Sequence, residues 1–236
     1  MTSLTNFWHT LADLLLPRHC AVCDAELHST EQGLCNVCLC RLKQVRWDNV
    51  SDNPLLRKLW NRHDVEAAGS SFYYNPSSEF HNLFILIKYR HRPRVGLHLA
   101  RHAFPRLYAS GLAQKTECII PVPLSRQRQW KRGYNQAEWI ARGISKATGI
   151  PVCTNILRRV HDNPTQTHNS ARQRMENTRG IFAISSKKPD LNGKTVLLVD
   201  DICTTGATLS DCVRALRQGF PMVNIHIYTL GWAGEE

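Results

Sequence analysis

The sequence predicts an α/β fold, an open and mostly parallel sheet, with a small N-terminal zinc ribbon. Three observations lead to this prediction. Apolar stretches of strand character alternate along the chain with stretches of helical periodicity, the order expected of a parallel sheet with crossover helices. One apolar stretch near the C-terminus ends in two consecutive aspartates. Near the N-terminus, four cysteines form two CxxC pairs.

The predicted elements follow one another from residue 65 to residue 230. The apolar stretch 65–74 has strand character, and a Pro-Ser pair punctuates the chain after it. Apolar residues at three- and four-residue spacing within 80–87 share one helical face. Prolines close the short apolar strand 118–122, and helical periodicity returns at 136–148. Further strands are expected at 152–157, 180–184, 196–199 and 223–230, and a last helix at 208–218.

The composition fits one α/β domain with a small appendage, since 42% of the 236 residues are hydrophobic. Leucines and aromatic residues within 4–15 follow a helical spacing with no Lys or Arg before them, which indicates an amphipathic helix and not a secretory signal. Docking of this helix on its own protein is favoured over a membrane anchor. No apolar run is long enough to span a bilayer, so we expect a cytoplasmic protein without a transmembrane segment.

Five of the nine cysteines lie within residues 20–40. Cys20 with Cys23, and Cys35 with Cys38, form CxxC pairs separated by eleven residues, a spacing typical of a structural four-cysteine zinc ribbon. Four thiolates close the coordination shell, so the zinc would fold the module and take no part in chemistry. A redox dithiol is less favoured, because such a pair normally stands alone at the start of a helix. Cys40 is near enough to replace Cys38 as the fourth ligand.

The stretch 196–208 has the most chemical content in the chain. Its apolar strand ends in Asp200 and Asp201, and a turn of small and hydroxyl residues follows: Thr204, Thr205, Gly206, Ala207 and Thr208. Ligands of parallel sheets lie beyond the carboxyl ends of the strands, where a helix N-terminus offers unpaired N–H groups to a phosphate. The two carboxylates would face the same crevice and accept hydrogen bonds from ribose hydroxyls, or hold Mg²⁺ through water. The sequence therefore predicts a sugar-phosphate pocket.

Two other interpretations of this stretch are less favoured. The first is a purely structural strand, turn and helix with a hydroxyl cap. It would need only one threonine and no acid pair, so it leaves the other residues of the stretch unexplained. The acidic pocket of a receiver domain also follows an apolar strand, but that strand is the first of its fold. Fewer than forty residues follow Asp201 here, which leaves no room for the remaining strands.

Positive charge is concentrated in one part of the chain. Residues 80–142 contain twelve Lys or Arg and two Glu, an excess that nearly equals the net charge of +11 of the whole chain. Aromatic residues are interleaved with them, as in surfaces that bind single-stranded nucleic acid. A solvated basic face that serves a phosphate ligand is equally compatible. The candidate nucleic-acid residues are Lys88, Arg126, Arg128, Lys131 and Arg132.

Residues 196–208 resemble the phosphoribosyl-pyrophosphate (PRPP) signature of type I phosphoribosyltransferases: an apolar strand, Asp-Asp, two spacers and Thr-Thr-Gly-x-Thr. The resemblance implies a phosphoribosyltransferase-like sheet that binds PRPP with Mg²⁺, and it assigns Asp200 and Asp201 to catalysis. It also places a pyrophosphate loop at 125–133, which includes the candidate ligand residue Arg132. A flexible hood over the substrate would fall at 158–174.

Further motifs resemble the competence protein F family, also known as the ComF or GntX family, nearly from end to end. They are Leu-Pro-x-x-Cys at 16–20, Leu-Ile-Lys-Tyr at 86–89, Ile-Ile-Pro-Val-Pro at 119–123, Arg-Gly-Tyr-Asn-Gln at 132–136, Gln166, and the run with Arg174, Asn177, Gly180 and Phe182. The resemblance implies a bacterial protein of natural transformation that acts on incoming single-stranded DNA at the cytoplasmic face of the inner membrane. A competence helicase and an inner-membrane DNA channel are the protein partners it implies.

These inferences divide the chain into an N-terminal helix with a four-cysteine zinc ribbon, residues 1–47, and a phosphoribosyltransferase-like domain, residues 48–236. Two functions of different class remain. In the first, the protein is a DNA-uptake factor that handles single-stranded DNA and binds PRPP or ribose 5-phosphate. In the second, it is an active Mg²⁺-dependent phosphoribosyltransferase whose acceptor the sequence does not identify. The basic stretch favours the first function, and the intact acid pair and threonine turn favour the second.

Overall fold

The computed structural model describes residues 18–59, 61–89, 92–160, 180–186 and 189–234. The amphipathic helix expected within residues 4–15 lies outside these ranges, as do Gln166, Arg174 and Asn177 of the family motifs. Residues 161–179, which include most of the expected hood, lie outside them as well.

Helices and strands are interspersed along the described chain. The helices are α1 (Asn36–Arg41), α2 (Pro54–Lys58), α3 (His81–Tyr89), α4 (Arg94–Ala109), α5 (Arg126–Arg132), α6 (Gln136–Thr148) and α7 (Ala207–Gly219). The strands are β1 (Ala67–Tyr73), β2 (Thr116–Pro121), β3 (Leu157–Arg159), β4 (Phe182–Ile184), β5 (Thr195–Cys203) and β6 (Asn224–Trp232). A single 3₁₀ turn covers Arg62–Asp64. No helix among the described residues has the length and apolar character needed to cross a membrane.

Four strands form one parallel sheet in the order β1-β6-β5-β2. Neighbours in a parallel sheet need a crossover connection, and the helices supply it. The strands β3 and β4 form a separate antiparallel pair. This topology confirms the predicted open, mostly parallel α/β fold.

The sheet separates two hydrophobic cores. Alternation along β5 sends Leu197 and Val199 into the first core and Val196 and Leu198 into the second. Helices α4 and α6 pack into the first core and α7 into the second. All four of these β5 side chains are fully buried. The strand is therefore a nearly continuous apolar run, as expected where both faces of a sheet are covered.

The segment 18–42 belongs to the first core. Several of its side chains are buried in the same cluster as α4: Cys20, Leu27, Leu34, Cys35, Cys38 and Leu42. Gly33 has a positive φ of 76°, and an added Cβ would clash with Val95 of α4, so only glycine fits this turn. The chain then pairs antiparallel with the edge of β1 through Gln44 and Phe72. The division of the chain at residue 47 stays a prediction.

The expected strand at 152–157 is mostly irregular. Val152 makes one isolated parallel bridge to Ile119 of β2. A turn at 154–155 then interrupts the extended chain, because the Thr-Asn pair there favours a turn. Strand geometry begins only at Leu157.

Helix α5 and its two capping residues occupy the stretch 125–133, where the resemblance implied a pyrophosphate loop. The hydroxyl of Ser125 accepts the N–H of Arg128 at 3.2 Å and caps the helix. Gly133 adopts the left-handed conformation, with φ 77°, and ends the helix after seven residues. The basic side chains of this stretch are therefore carried on a helix and not on an irregular loop.

Candidate functional site

The four cysteines of the two CxxC pairs lie together. The Sγ atoms of Cys20, Cys23, Cys35 and Cys38 are all within 4.8 Å of one another. The sulfurs of Cys23 and Cys35 are 3.7 Å apart. A tetrahedral ion with zinc–sulfur bonds of about 2.3 Å places its sulfurs about 3.8 Å apart, so the cluster fits a four-cysteine zinc site. Cys40, the alternative fourth ligand, is exposed and lies outside the cluster.

Backbone N–H groups support the thiolate form of the cluster. The N–H of Cys35 donates to Cys20 Sγ and the N–H of Cys38 to Cys35 Sγ, both at 3.4 Å. Burial alone would raise the pKa of Cys20, but the N–H groups around its sulfur outweigh burial and lower the pKa to about 7. The buried carboxylate of Glu31 ties the loop between the pairs to the second pair by accepting the N–H groups of His28 and Asn36, at 2.8 and 2.7 Å.

The two consecutive aspartates lie near the carboxyl end of β5. Asp200 is 8% exposed and Asp201 is 5% exposed. Asp200 Oδ1 accepts the N–H of Asp201 at 2.8 Å, and Asp201 Oδ1 accepts the N–H of Ile202 at 2.7 Å. These local bonds hold both carboxylates at the edge of the sheet where ligands of parallel sheets bind. Asp201 Oδ2 is buried and accepts no backbone N–H, so its charge is left to a cation or a ligand.

Lys88 of α3 is the cation of this pocket, although the sequence placed it among the nucleic-acid residues. Its Nζ lies 3.3 Å from Asp201 Oδ2. Burial disfavours the charged lysine, but the two aspartates outweigh burial and raise the pKa of Lys88. Burial, together with the neighbouring charge of Asp201, raises the pKa of Asp200 to about 8. The pocket therefore favours a charged Lys88 beside Asp201 and disfavours the ionised form of Asp200.

The turn after β5 presents backbone N–H groups beside the aspartates. Gly206, with φ 75°, is the N-cap residue of α7 and offers no side-chain cap; the hydroxyl of Thr205 accepts the N–H of Ala207 at a long 3.4 Å. An added Cβ at Gly206 would lie 3.3 Å from the carbonyl oxygen of Lys58, and the positive φ disfavours any other residue. The first-turn N–H groups of α7 can therefore receive a phosphate. The structure brings the predicted turn residues to this helix end: Thr204, Thr205, Gly206, Ala207 and Thr208.

Arg132, predicted for both phosphate and nucleic-acid binding, lies next to the lysine of the pocket. Its guanidinium carbon is 4.5 Å from the ring centre of Tyr89, which follows Lys88 in the chain. Its Nη1 donates to Gln136 Oε1 at 3.0 Å. The other predicted nucleic-acid residues lie on α5, which has no buried residue: Arg126, Arg128 and Lys131. Trp130 on the same helix is 89% exposed, so its ring is accessible for stacking.

A buried carboxylate that the sequence did not indicate ties β4 to α7. Asp211 is fully buried and accepts the backbone N–H groups of Gly180, Ile181 and Phe182 at 2.9, 2.9 and 3.0 Å. Arg214 Nε donates to the same carboxylate at 2.8 Å. The chain enters β4 as it returns from the expected hood, so Asp211 anchors that return to the helix of the phosphate turn. The spacing of Asp211 and Arg214, one helical turn, indicated only a local ion pair.

The chain is similar in sequence to known proteins. Residues 131–231 match the phosphoribosyl transferase domain family. The chain is 30% identical over 213 residues to Competence protein F of Haemophilus influenzae, covering 84% of this chain and 90% of the relative. It is 27% identical over 225 residues to the DNA utilization protein YhgH of Salmonella typhimurium, covering 90% of this chain and 96% of the relative. An adenine phosphoribosyltransferase structure from Leishmania donovani aligns with a TM-score of 0.36 at 13% identity, over 69% of this chain and 83% of that chain.

A parallel sheet with a buried acid pair at the end of a central strand, followed by a glycine turn and an uncapped helix, defines a phosphoribosyltransferase-like protein. A cluster of four cysteines precedes this sheet in the chain. The chain belongs to the competence protein F family, which confirms the resemblance found in its sequence.

Proposed function

We propose that this protein is a DNA-uptake factor that handles incoming single-stranded DNA in the cytoplasm and binds PRPP or ribose 5-phosphate with Mg²⁺. The observation that carries the ligand part is the buried acid pair, with Lys88 Nζ 3.3 Å from Asp201, beside an uncapped helix N-terminus. Relatives named Competence protein F and DNA utilization protein support the DNA part. The competence helicase, the DNA channel and a position at the inner face of the inner membrane belong to the same proposal.

Each part of the pocket suits one group of a ribose phosphate. The first-turn N–H groups of α7 suit the 5-phosphate. The buried carboxylates suit the vicinal hydroxyls, since two adjacent carboxylates at the ligand end of β5 can accept one hydroxyl each. PRPP adds a pyrophosphate, which binds Mg²⁺; Asp200 and Asp201 would help to hold this ion, and Arg132 would add positive charge on the pyrophosphate side. The structural zinc of the cysteine cluster would have no part in this binding.

PRPP should bind in a Mg²⁺-dependent manner, and Asp200→Asn with Asp201→Asn should weaken the binding at least about tenfold. The reason is that a hydrogen bond lost between a ribose hydroxyl and a charged carboxylate costs roughly 1.5–3 kcal/mol. Titration calorimetry with and without Mg²⁺ measures both effects. The matched control is Asp52→Asn with Glu79→Gln, which removes two carboxylates that pair with arginines at the surface. Equal PRPP affinity in the pocket variant and the control would contradict the assignment.

The pH dependence of the stability of Asp200→Asn gives an independent check that Asp200 is buried beside Asp201. The pKa of Asp200 is raised to about 8 in the folded chain, above its value when unfolded. Its contribution to stability is therefore present at low pH and lost as pH rises through about 8. The melting temperature of Asp200→Asn relative to wild type should increase between about pH 5 and about pH 9.

Deletion of the gene should abolish natural transformation in a competent host, while growth without purines, pyrimidines or amino acids stays normal. DNA should still reach the periplasm, because a cytoplasmic protein can act only after the strand begins to cross the inner membrane. Complementation with Asp200→Asn and Asp201→Asn should restore transformation only in part, since the pocket has to bind its ligand. Auxotrophy with intact transformation would overturn this function and favour an enzyme of nucleotide synthesis.

The second candidate function is an active phosphoribosyltransferase. The observation that favours it is the ion pair between Lys88 and the buried acid pair at the ligand end of the sheet. Ionisable groups are costly to bury, and catalysis is one reason to keep them there. In that reaction an acceptor attacks the anomeric carbon of PRPP and pyrophosphate leaves with its magnesium. Release of pyrophosphate from PRPP, measured with bases, nucleotides or single-stranded DNA as acceptors, distinguishes the two functions.

A further inference from the structure

A basic groove runs between α4, α6 and the turn at Gln32. It consists of two cavities, of about 630 and about 450 Å³, that share Gln32, Arg94 and Trp139 in their walls. The larger cavity is also lined by Arg101, Arg142 and Lys146. Asp200, Asp201 and Lys88 line neither cavity. We infer that this groove binds the phosphodiester backbone of single-stranded nucleic acid, at a site separate from the acid-pair pocket.

The groove exists because α4 and α6 cross at very short distance. Gly143 of α6 faces Leu97 of α4 so closely that an added Cβ would clash with the carbonyl oxygen of Leu97. An added Cβ at Gly96 would lie 3.2 Å from Ile140 Cγ1. This contact brings the exposed faces of the two helices together on either side of one depression. The cations of α4 and those of α6 therefore line opposite walls.

The positive charge of the groove is mostly unneutralised. Within the described residues, Arg94, Arg101 and Lys146 have no carboxylate at ion-pair distance, whereas Arg142 pairs with Glu138 at 2.6 Å. Burial, and then the charges of Arg101, Lys146 and Arg94, lower the pKa of His98 on the floor of the groove. The three unpaired cations therefore create a positive potential in one cavity, where a bound anion would be their ion-pair partner.

Trp139 supplies an aromatic surface in the same groove. The guanidinium carbon of Arg142 lies 5.4 Å from its ring centre, and the side chain is only half-buried. Base–aromatic stacking tolerates any sequence, because every base has a π face. A wall with one aromatic ring and several cations therefore matches the alternation of base and phosphate along a single strand.

The distribution of the cations favours a strand over a free phosphate or a membrane. Arg94 and Arg101 are seven residues apart on α4, which corresponds to about 10 Å along the helix. Cations spread over this length, on two helices, suit successive phosphates of a strand better than one free phosphate. A flat lipid surface would leave the concave floor of the groove without contacts. The proposal rests on the proposed function, because it gives the incoming DNA a site on the protein.

Two triple variants with the same change in charge test the groove. Arg94→Gln with Arg101→Gln and Lys146→Gln removes its unpaired cations, and Arg126→Gln with Arg128→Gln and Lys131→Gln removes those of α5. Fluorescence anisotropy with a labelled oligothymidylate is measured over a range of salt concentrations. The log–log salt slope of the groove triple should fall by about 2, since each phosphate contact in a single strand contributes about 0.7. Trp139→Ala should weaken binding about tenfold with the slope unchanged, and Trp139→Tyr should restore most of it.

The outcomes separate the groove from the proposed function. No binding of the oligothymidylate to wild type at low salt overturns both. If only the α5 triple variant binds the oligothymidylate more weakly, the groove is overturned and the DNA function stays intact. If the groove triple variant binds it more weakly, the groove is supported, whatever the affinity of the α5 triple variant. If the groove triple variant no longer binds phosphatidylglycerol vesicles but binds the oligothymidylate like wild type, the groove is a membrane site and the proposal is overturned. The groove triple should bind PRPP like wild type, and loss of PRPP binding would overturn the separation of the two sites.

Discussion

Replacing Cys20 and Cys35 by serine should abolish zinc binding and unfold the segment 18–42. Where a metal site does not exist in the unfolded chain, its binding free energy, about 10–16 kcal/mol in small zinc domains, becomes folding free energy. The segment shares a hydrophobic core with α4. Loss of the ion should therefore lower the melting temperature of the whole protein by more than about 10 °C. Elemental analysis and calorimetry of protein purified without added metal measure the two effects.

Cys40→Ser is the matched control, because Cys40 lies on α1 with Cys38 but is exposed and outside the cluster. This variant should keep about one zinc per chain and the melting temperature of wild type. In the double variant, amide hydrogen exchange should increase most in 18–42 and α4, and least in α7 on the other side of the sheet. Full zinc content in the double variant, or loss of zinc in Cys40→Ser, would contradict the four assigned ligands.

The second large effect is expected for Asp211→Asn, which should lower the free energy of unfolding by about 3–5 kcal/mol. The carboxylate is fully buried and accepts three backbone N–H groups of the chain entering β4, together with Arg214 Nε at 2.8 Å. An amide has one acceptor oxygen, and its own N–H groups would face donors, so several buried groups would lose their partners. Chemical denaturation measures the loss, and hydrogen exchange at 180–184 locates it.

Asp52→Asn is the control for this substitution. Asp52 also pairs with an arginine, Arg57 Nη2 at 2.8 Å, but its side chain is 62% exposed. The same chemical change should cost less than about 1 kcal/mol there, because water replaces the lost contact. Similar losses in the two variants would show that Asp211 does not act as a buried anchor.

Local patterns were enough to predict much of the structure. The helix 136–148 was predicted with the bounds of α6, because Asn135 caps it and Gly149 ends it with φ 79°. The sequence likewise predicted the acid pair, the glycine turn and the following helix, because a few adjacent residues determine where a strand ends, a turn forms and a helix begins. The two CxxC pairs indicated the sulfur cluster for the same reason.

Contacts between distant parts of the chain could not be predicted in this way. Lys88 lies next to Asp201 only because α3 ends beside the carboxyl end of β5, and no spacing in the sequence contains that information. The anchor at Asp211 depends on where the chain returns to the sheet. The basic groove depends on the close crossing of α4 and α6 at Gly143. The count of lysines and arginines in the sequence therefore predicted a positively charged surface but not where on the fold it lies.

The segment 18–42 buries Leu27, Leu34 and Leu42 in the same cluster as Val95 and Leu99 of α4. During synthesis this segment leaves the ribosome before α4 does, so its apolar face has nothing to pack against at first. The sulfur cluster needs no later part of the chain, and its ion can hold the segment in shape until α4 arrives. In a cell short of zinc, the segment 18–42 would therefore stay unfolded until α4 has been made. Its leucines would be exposed during that time, which favours aggregation and proteolysis.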